Sequence, residues 1–171
     1  MTITTTLNRI RDKNPCAPGW EKLLADLGKT MADDEPLTFS RILEINGLND
    51  AVWCMRAEPQ HAKEWRLFAV WCARQVKHLI TDQKSLDALD VAERHAYGLA
   101  TDEELADASD AAWAVANDAA SDAAGDAASA TASDAAWTAA MDAAWAAVMA
   151  DASEDARAAQ KVKFLEITGG K

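Results

Sequence analysis

The sequence predicts an all-α fold, with a compact multi-helix N-terminal half followed by long Ala/Asp-rich helices. Three observations carry that expectation. Apolar residues of the first half recur at spacings of 3 and 4, the period of one helix face. No stretch alternates with period 2 for long enough to make a strand. Between Ala106 and Ala159, 27 of 54 residues are alanine, the strongest helix former.

Taken in order, Pro18 to Gly28 opens with Pro18-Gly19, places Leu23, Leu24 and Leu27 on one face, and stops at Gly28. Leu37 to Asn46 carries Phe39, Ile42, Leu43 and Ile45, and Gly47 takes the position just past its end. Leu48 to Ala57 sets Ala51, Val52 and Met55 along one side, beside Trp53 and Cys54. Pro59 then separates it from a longer helix, His61 to Ile80, whose stripe is Trp65, Phe68, Ala69, Cys72, Val76 and Ile80. Ser85 to Tyr97, with Leu86, Leu89, Val91 and Ala92, ends before Gly98.

Thr101-Asp-Glu-Glu104 has the spacing of a capping box, and its three acids suit the positive end of a helix dipole. Beyond it the sequence falls into fours. One column holds Asp110, Asp118, Asp122, Asp126, Asp134 and Asp142; the column before it includes Trp113, Trp137 and Trp145. A step of four residues turns a helix by about 400°, so each column drifts about 40° per repeat. One straight rod would have no constant face. The tract is therefore expected to fold as a helical hairpin, broken near Gly125, where glycine costs about 1 kcal/mol. The hairpin would pack on the first half or on a dimer partner, with the tryptophans filling gaps between small residues.

At 171 residues the chain is one domain, or one domain with an extension. The expected division is a helical globular region, 1–98, and an acidic alanine-rich region, 99–171, folding as one cooperative unit. Charge marks the boundary. The chain holds 17 Lys and Arg against 28 Asp and Glu, a net charge of −11. Residues 1–94 carry 13 basic and 14 acidic side chains, whereas 95–171 carry 4 and 14. That balance argues against direct nucleic-acid binding and against an anionic membrane surface. No apolar run reaches the roughly 18 residues of a membrane span, and Met1-Thr-Ile-Thr-Thr-Thr6 has no signal-peptide pattern, so a cytoplasmic protein is expected.

Chemistry-bearing motifs are sparse. Cys16, Cys54 and Cys72 form no CxxC pair; Cys54 and Cys72 read as buried core residues. His61, His78 and His95 fall on separate segments, without the i, i+4 spacing of a helical metal site. No GxSxG, P-loop, GxGxxG or HExxH is present, and the Asp-Ala-Ala-Trp blocks lack the glycine and closing glutamate of a calcium loop. The expectation is a protein without a catalytic site, metal or cofactor. Its candidate binding surface is the acidic column, with Trp113, Trp137 and Trp145 as candidate aromatic anchors. Aspartates four apart sit about 6 Å apart along a helix, against one charge per roughly 1.7 Å of duplex DNA. A lone helix is thus a dilute imitation of a nucleic acid; two side by side, or a dimer, narrow the gap.

The run Trp65-Arg-Leu-Phe-Ala-Val-Trp-Cys-Ala-Arg-Gln-Val-Lys-His-Leu79, with Ala88-Leu-Asp-Val-Ala-Glu-Arg94 and Gly98-Leu-Ala-Thr-Asp-Glu-Glu-Leu105, resembles a helical module of bacterial and phage immunity-protein-like families. Upstream, Ile42-Leu-Glu-Ile-Asn-Gly-Leu48 through Trp53-Cys-Met-Arg-Ala57 is similar to small phage-encoded proteins with the same Asp-Ala-Ala-Trp tail. The resemblance covers roughly residues 20 to 150. It implies a phage or prophage accessory protein and carries no site residues. The leading expectation is therefore a non-enzymatic inhibitor of a host defence or nucleic-acid-processing protein, of the anti-CRISPR or anti-restriction type, meeting a basic surface. An immunity protein for one cognate toxin and a self-associating assembly protein, with a homodimer in view, are the alternatives.

Overall fold

The structure, a computed structural model, describes residues 2–75, 83–120 and 154–170, with the backbone alone for 112–120. The fold is all-α. By packing, the chain divides into two compact units, one of Met1–His61 with Ala152–Lys171 and one of Ala62–Asp151. This is a different division from that made by charge: the final helix, though downstream of the repeat, builds its unit with the opening residues.

The first unit contains β1 (Thr4–Thr5), α1 (Leu7–Arg11), α2 (Ala17–Asp26), β2 (Leu37–Thr38), α3 (Phe39–Asn46) and α4 (Leu48–Cys54). Two 3-10 turns, Met55–Ala57 and Pro59–His61, follow, and α8 (Glu154–Thr168) completes the unit. The strand pair corrects the expectation of no strands: β1 and β2 lie antiparallel, with Thr4 opposite Thr38 and Thr5 opposite Leu37. Each strand runs into a helix through a threonine cap. Thr6 Oγ1 accepts from Arg9 N at 3.2 Å, and Thr38 Oγ1 accepts from Arg41 N at 3.2 Å. Those caps occupy amides that a helix start otherwise leaves without partners.

The core of this unit gathers Leu7, Ile10, Phe39, Ile42, Val52 and Met55, all essentially sealed from solvent. The helix expected over Leu48–Ala57 is α4 tightening into a 3-10 turn. Gly47 ends α3 and begins α4 at once, at φ 84°, a left-handed conformation open to glycine and costly for other residues. Glu58, fully buried, accepts from Arg9 Nη1 at 2.5 Å and from the Gln60 side-chain amide, a charge-assisted arrangement that offsets its desolvation.

The last helix stays ordered to its end: Ile167 and Thr168 are helical and Thr168 is 1% exposed. Thr168 O accepts from Ile3 N at 2.9 Å, and Gly170 N closes the helix end on Leu165 O at 2.8 Å. Phe164 packs edge-on against Phe39, ring centroids 6.1 Å apart. The apolar contact and backbone bonds together order a segment that composition alone reads as a tail.

The second unit contains α5 (Ala62–Gln75), α6 (Gln83–Ala96) and α7 (Asp102–Ala120). Trp65, Phe68, Ala69 and Cys72 of the expected stripe are buried; Val76 and Ile80 lie outside the described residues. Leu86, Leu89, Val91 and Ala92 of α6 are half-buried. α6 packs on α7 and on α5. Among the described residues, no helix is long and apolar enough to cross a membrane.

Candidate functional site

The acidic surface begins where α6 turns into α7. Gly98, at φ 72°, closes α6: its own N–H reaches His95 O at 2.9 Å and Leu99 N–H reaches Arg94 O at 2.8 Å. This bond pair is the Schellman closure that glycine favours. Three residues later the predicted capping box is present with both bonds. Glu104 N donates to Thr101 Oγ1 at 3.1 Å, and Thr101 N donates to Glu104 Oε2 at 2.7 Å. The Thr101 amide above all, with Arg94 adding its charge, holds the Glu104 carboxyl below the usual carboxylate range.

Two of the first-turn acids are engaged by α6. Arg94 Nη2 stands 3.5 Å from Glu104 Oε1 and donates to Leu99 O at 3.0 Å; His95 Nε2 lies 2.6 Å from Asp102 Oδ1. Histidine here serves as a bridge between helices. Lys63 of α5 sits over the Tyr97 ring at 5.4 Å, and Arg74 donates to Asp90 at 2.8 Å and to Glu93 at 2.5 Å. Arg66 is buried, and desolvation pushes its guanidinium pKa down, partly opposed by the negative charge of Asp102.

Glu103, Asp107 and Asp110 are different. All three are exposed, and none forms an ion pair with a described residue. Steps of four and three residues confine them to an arc of about 60° on α7. Asp118 and Trp113 fall on the helical backbone of α7. Asp122, Asp126, Asp134, Asp142, Trp137 and Trp145 lie outside the described residues, as does the hairpin break expected near Gly125. Glu103 and Asp107 were absent from the predicted surface, although their signal is legible: both precede the strict period of four but share its charge and its helix.

The chain's acidic excess falls within this unit. Ala62–Asp151 carries six basic against sixteen acidic side chains, a balance of −10, leaving −1 for the other unit. Cys54 and Cys72 are buried, which pushes both thiols up to about 12, while Cys16 is exposed. Among the described residues, no group of three or more His, Cys, Asp or Glu is placed to hold a metal ion. Compared with known proteins, the chain matches no family model, no curated protein and no solved structure.

Proposed function

We propose that the protein is a non-enzymatic binding protein that docks its acidic helical surface on a basic protein partner, inhibiting a host defence or nucleic-acid-processing complex. The reading rests on one observation: the unit with a charge balance of −10 presents Glu103, Asp107 and Asp110 in one exposed arc, with no basic counterpart among the described residues. Unpaired like charges on a helix repel and weaken it by a few tenths of a kcal/mol per pair. A cationic groove evolved for phosphates relieves that repulsion and draws the partner in by its long-range field. Phage or prophage origin is part of the proposal and rests on the sequence resemblance.

The test is capture of bacterial proteins on the tagged chain at about 0.15 and 0.5 M salt, across which screening lengths shorten markedly. It is run beside a variant with Asp110, Asp118, Asp122, Asp126, Asp134 and Asp142 changed to asparagine. A nuclease or guide-directed complex held at low salt, released at high salt, lost by the variant and inhibited in its cleavage assay supports the reading. A partner that resists salt and binds the variant equally overturns the electrostatic docking. A strongly apolar self-association as the sole capture favours the assembly protein.

A further inference from the structure

We propose that Asn46–Gly47 is a latent deamidation site, held shut by the fold of the first unit, whose conversion to aspartate unlocks the helices that meet there. Among the chain's asparagines only Asn46 precedes a glycine. In a flexible chain that pairing is the most reactive one, because no side chain shields the following backbone nitrogen. Gly47 is also the residue the turn demands. It ends α3 and begins α4 at φ 84°, a conformation that favours glycine. The α3–α4 junction therefore carries a labile pair where other residues meet backbone strain.

The chemistry needs water alone. The Gly47 backbone nitrogen gives up its proton and attacks the Asn46 side-chain carbonyl carbon. A bond forms between them, the bond to Nδ2 breaks, and that nitrogen takes up a proton and leaves as ammonia. Water then opens the cyclic imide at either of its carbonyls, leaving aspartate or isoaspartate. The fold opposes the first step on both the attacking and the leaving side. Gly47 N–H is spent on Leu43 O at 3.0 Å, the bond that closes α3. Asn46 is helical, and closing the ring requires its backbone to turn out of that conformation. Asn46 Nδ2, the group that must leave, donates to Gly19 O at 2.8 Å and to Asp50 Oδ2 at 2.7 Å, and these two acceptors fix the amide's orientation.

The same two bonds define what conversion does. Asn46 Nδ2 ties α3 to α2 through Gly19 and to α4 through Asp50. The helices approach closely there: a side-chain carbon at Gly19 would meet Asp50 Oδ2 at 2.6 Å, Cys16 Sγ at 3.1 Å and Asn46 Nδ2 at 3.5 Å. Aspartate places a carboxylate oxygen where the nitrogen stood. Two donated bonds become two contacts between acceptors, one of them between ionised carboxylates on half-buried residues, where water screens them less than in the open. Isoaspartate also adds a main-chain carbon between α3 and α4. A chain that has opened long enough to react cannot close this junction as before, so the pair records opening irreversibly.

The inference is independent of the acidic-surface reading. Its test is incubation of the full chain at mildly alkaline pH, native and in urea, with the tryptic peptide 42–56 read by mass spectrometry. That peptide also holds Asn49, which serves as an internal comparison. Expected is conversion at Asn46 ahead of Asn49 in urea, and conversion at least about tenfold slower in the native chain, the scale of the hydrogen bonds that must first break. Asn46→Asp, which mimics one product, should lower the urea midpoint of unfolding. Adding Asp50→Asn removes the facing charge and should recover most of that loss, or restore folding if the single variant does not fold. Equal rates in the native and urea-unfolded chains, Asn49 converting first in urea, or an Asn46→Asp chain as stable as the parent each overturn the proposal. A loss that Asp50→Asn leaves unchanged overturns it too, because the damage then does not pass through the carboxylate pair.

Discussion

Phe164→Ala is the perturbation that reads most directly on how the first unit is closed. Phe164 is 1% exposed and meets Phe39 edge-on, 69° between ring planes. Truncating a buried phenylalanine costs about 3–5 kcal/mol, and the lost ring pair accounts for about 0.5–1.5 kcal/mol beyond its buried area. Against a total stability of about 5–15 kcal/mol, that is at least about a fifth of what holds a domain. The assay is urea unfolding followed by far-UV circular dichroism, with limited trypsin digestion of the native protein. Phe164→Ala should lower the unfolding midpoint sharply and open cleavage at Arg157, Lys161 and Lys163 on α8. Val162, 67% exposed on the same helix, supplies the control, and Val162→Ala should change stability by less than about 0.5 kcal/mol. Equal, small effects of the two substitutions would refute the docking of α8 and with it the assignment of both chain segments to one unit.

Thr101→Ala should destabilise the start of α7 by about 1 kcal/mol, measured by thermal unfolding, while Thr101→Ser retains most of the cap. The paired Glu104 carboxyl is depressed in the folded state, so its contribution is full above the ordinary carboxylate range and is lost as pH falls through its folded value. Helicity at the start of α7 should therefore fall less in acid for Glu104→Gln, which keeps an acceptor for the Thr101 amide and has no carboxyl to protonate, than for the parent. A thiol-reactive dye at pH 8 should label Cys16 rapidly and leave Cys54 and Cys72 unreacted until denaturant is added, because burial holds both thiols up at about 12. Gly98→Ala should cost about 1–2 kcal/mol from backbone conformation alone, since a methyl group there meets nothing within 4 Å.

Features set by neighbours along the chain were legible in the sequence. The Thr101–Glu104 box needs residues three apart, and both of its bonds form. The stripe Trp65, Phe68, Ala69, Cys72 follows from helical period and is buried as that period requires. What escaped was non-local. Thr4 and Thr5 have no alternating pattern and become a strand because Leu37 and Thr38 pair with them. Thr6 and Thr38 could have been read as caps, each a threonine directly before an apolar helical residue. The docking of Ile167 and Thr168 depends on Ile3 and Phe164, which no local rule joins to a Gly-Gly-Lys ending. On α7, helix period alone puts Glu103, Asp107 and Asp110 on one side, while pairing with α6 decided that Asp102 and Glu104 are engaged.

The bond from Ile3 N–H to Thr168 O sets an order of events during synthesis. Residues 1–61 leave the ribosome first, but the helix that covers Phe39 follows some ninety residues later, after 62–151 have emerged. At about 5–20 residues per second, that interval lasts roughly 5–18 s. Throughout it, Phe39 and the strand-bearing opening segment wait without their cover, while α5 and α6 already have each other. The first part of the chain to be made is thus among the last to be finished, and its apolar face is the surface a chaperone would meet on the nascent protein.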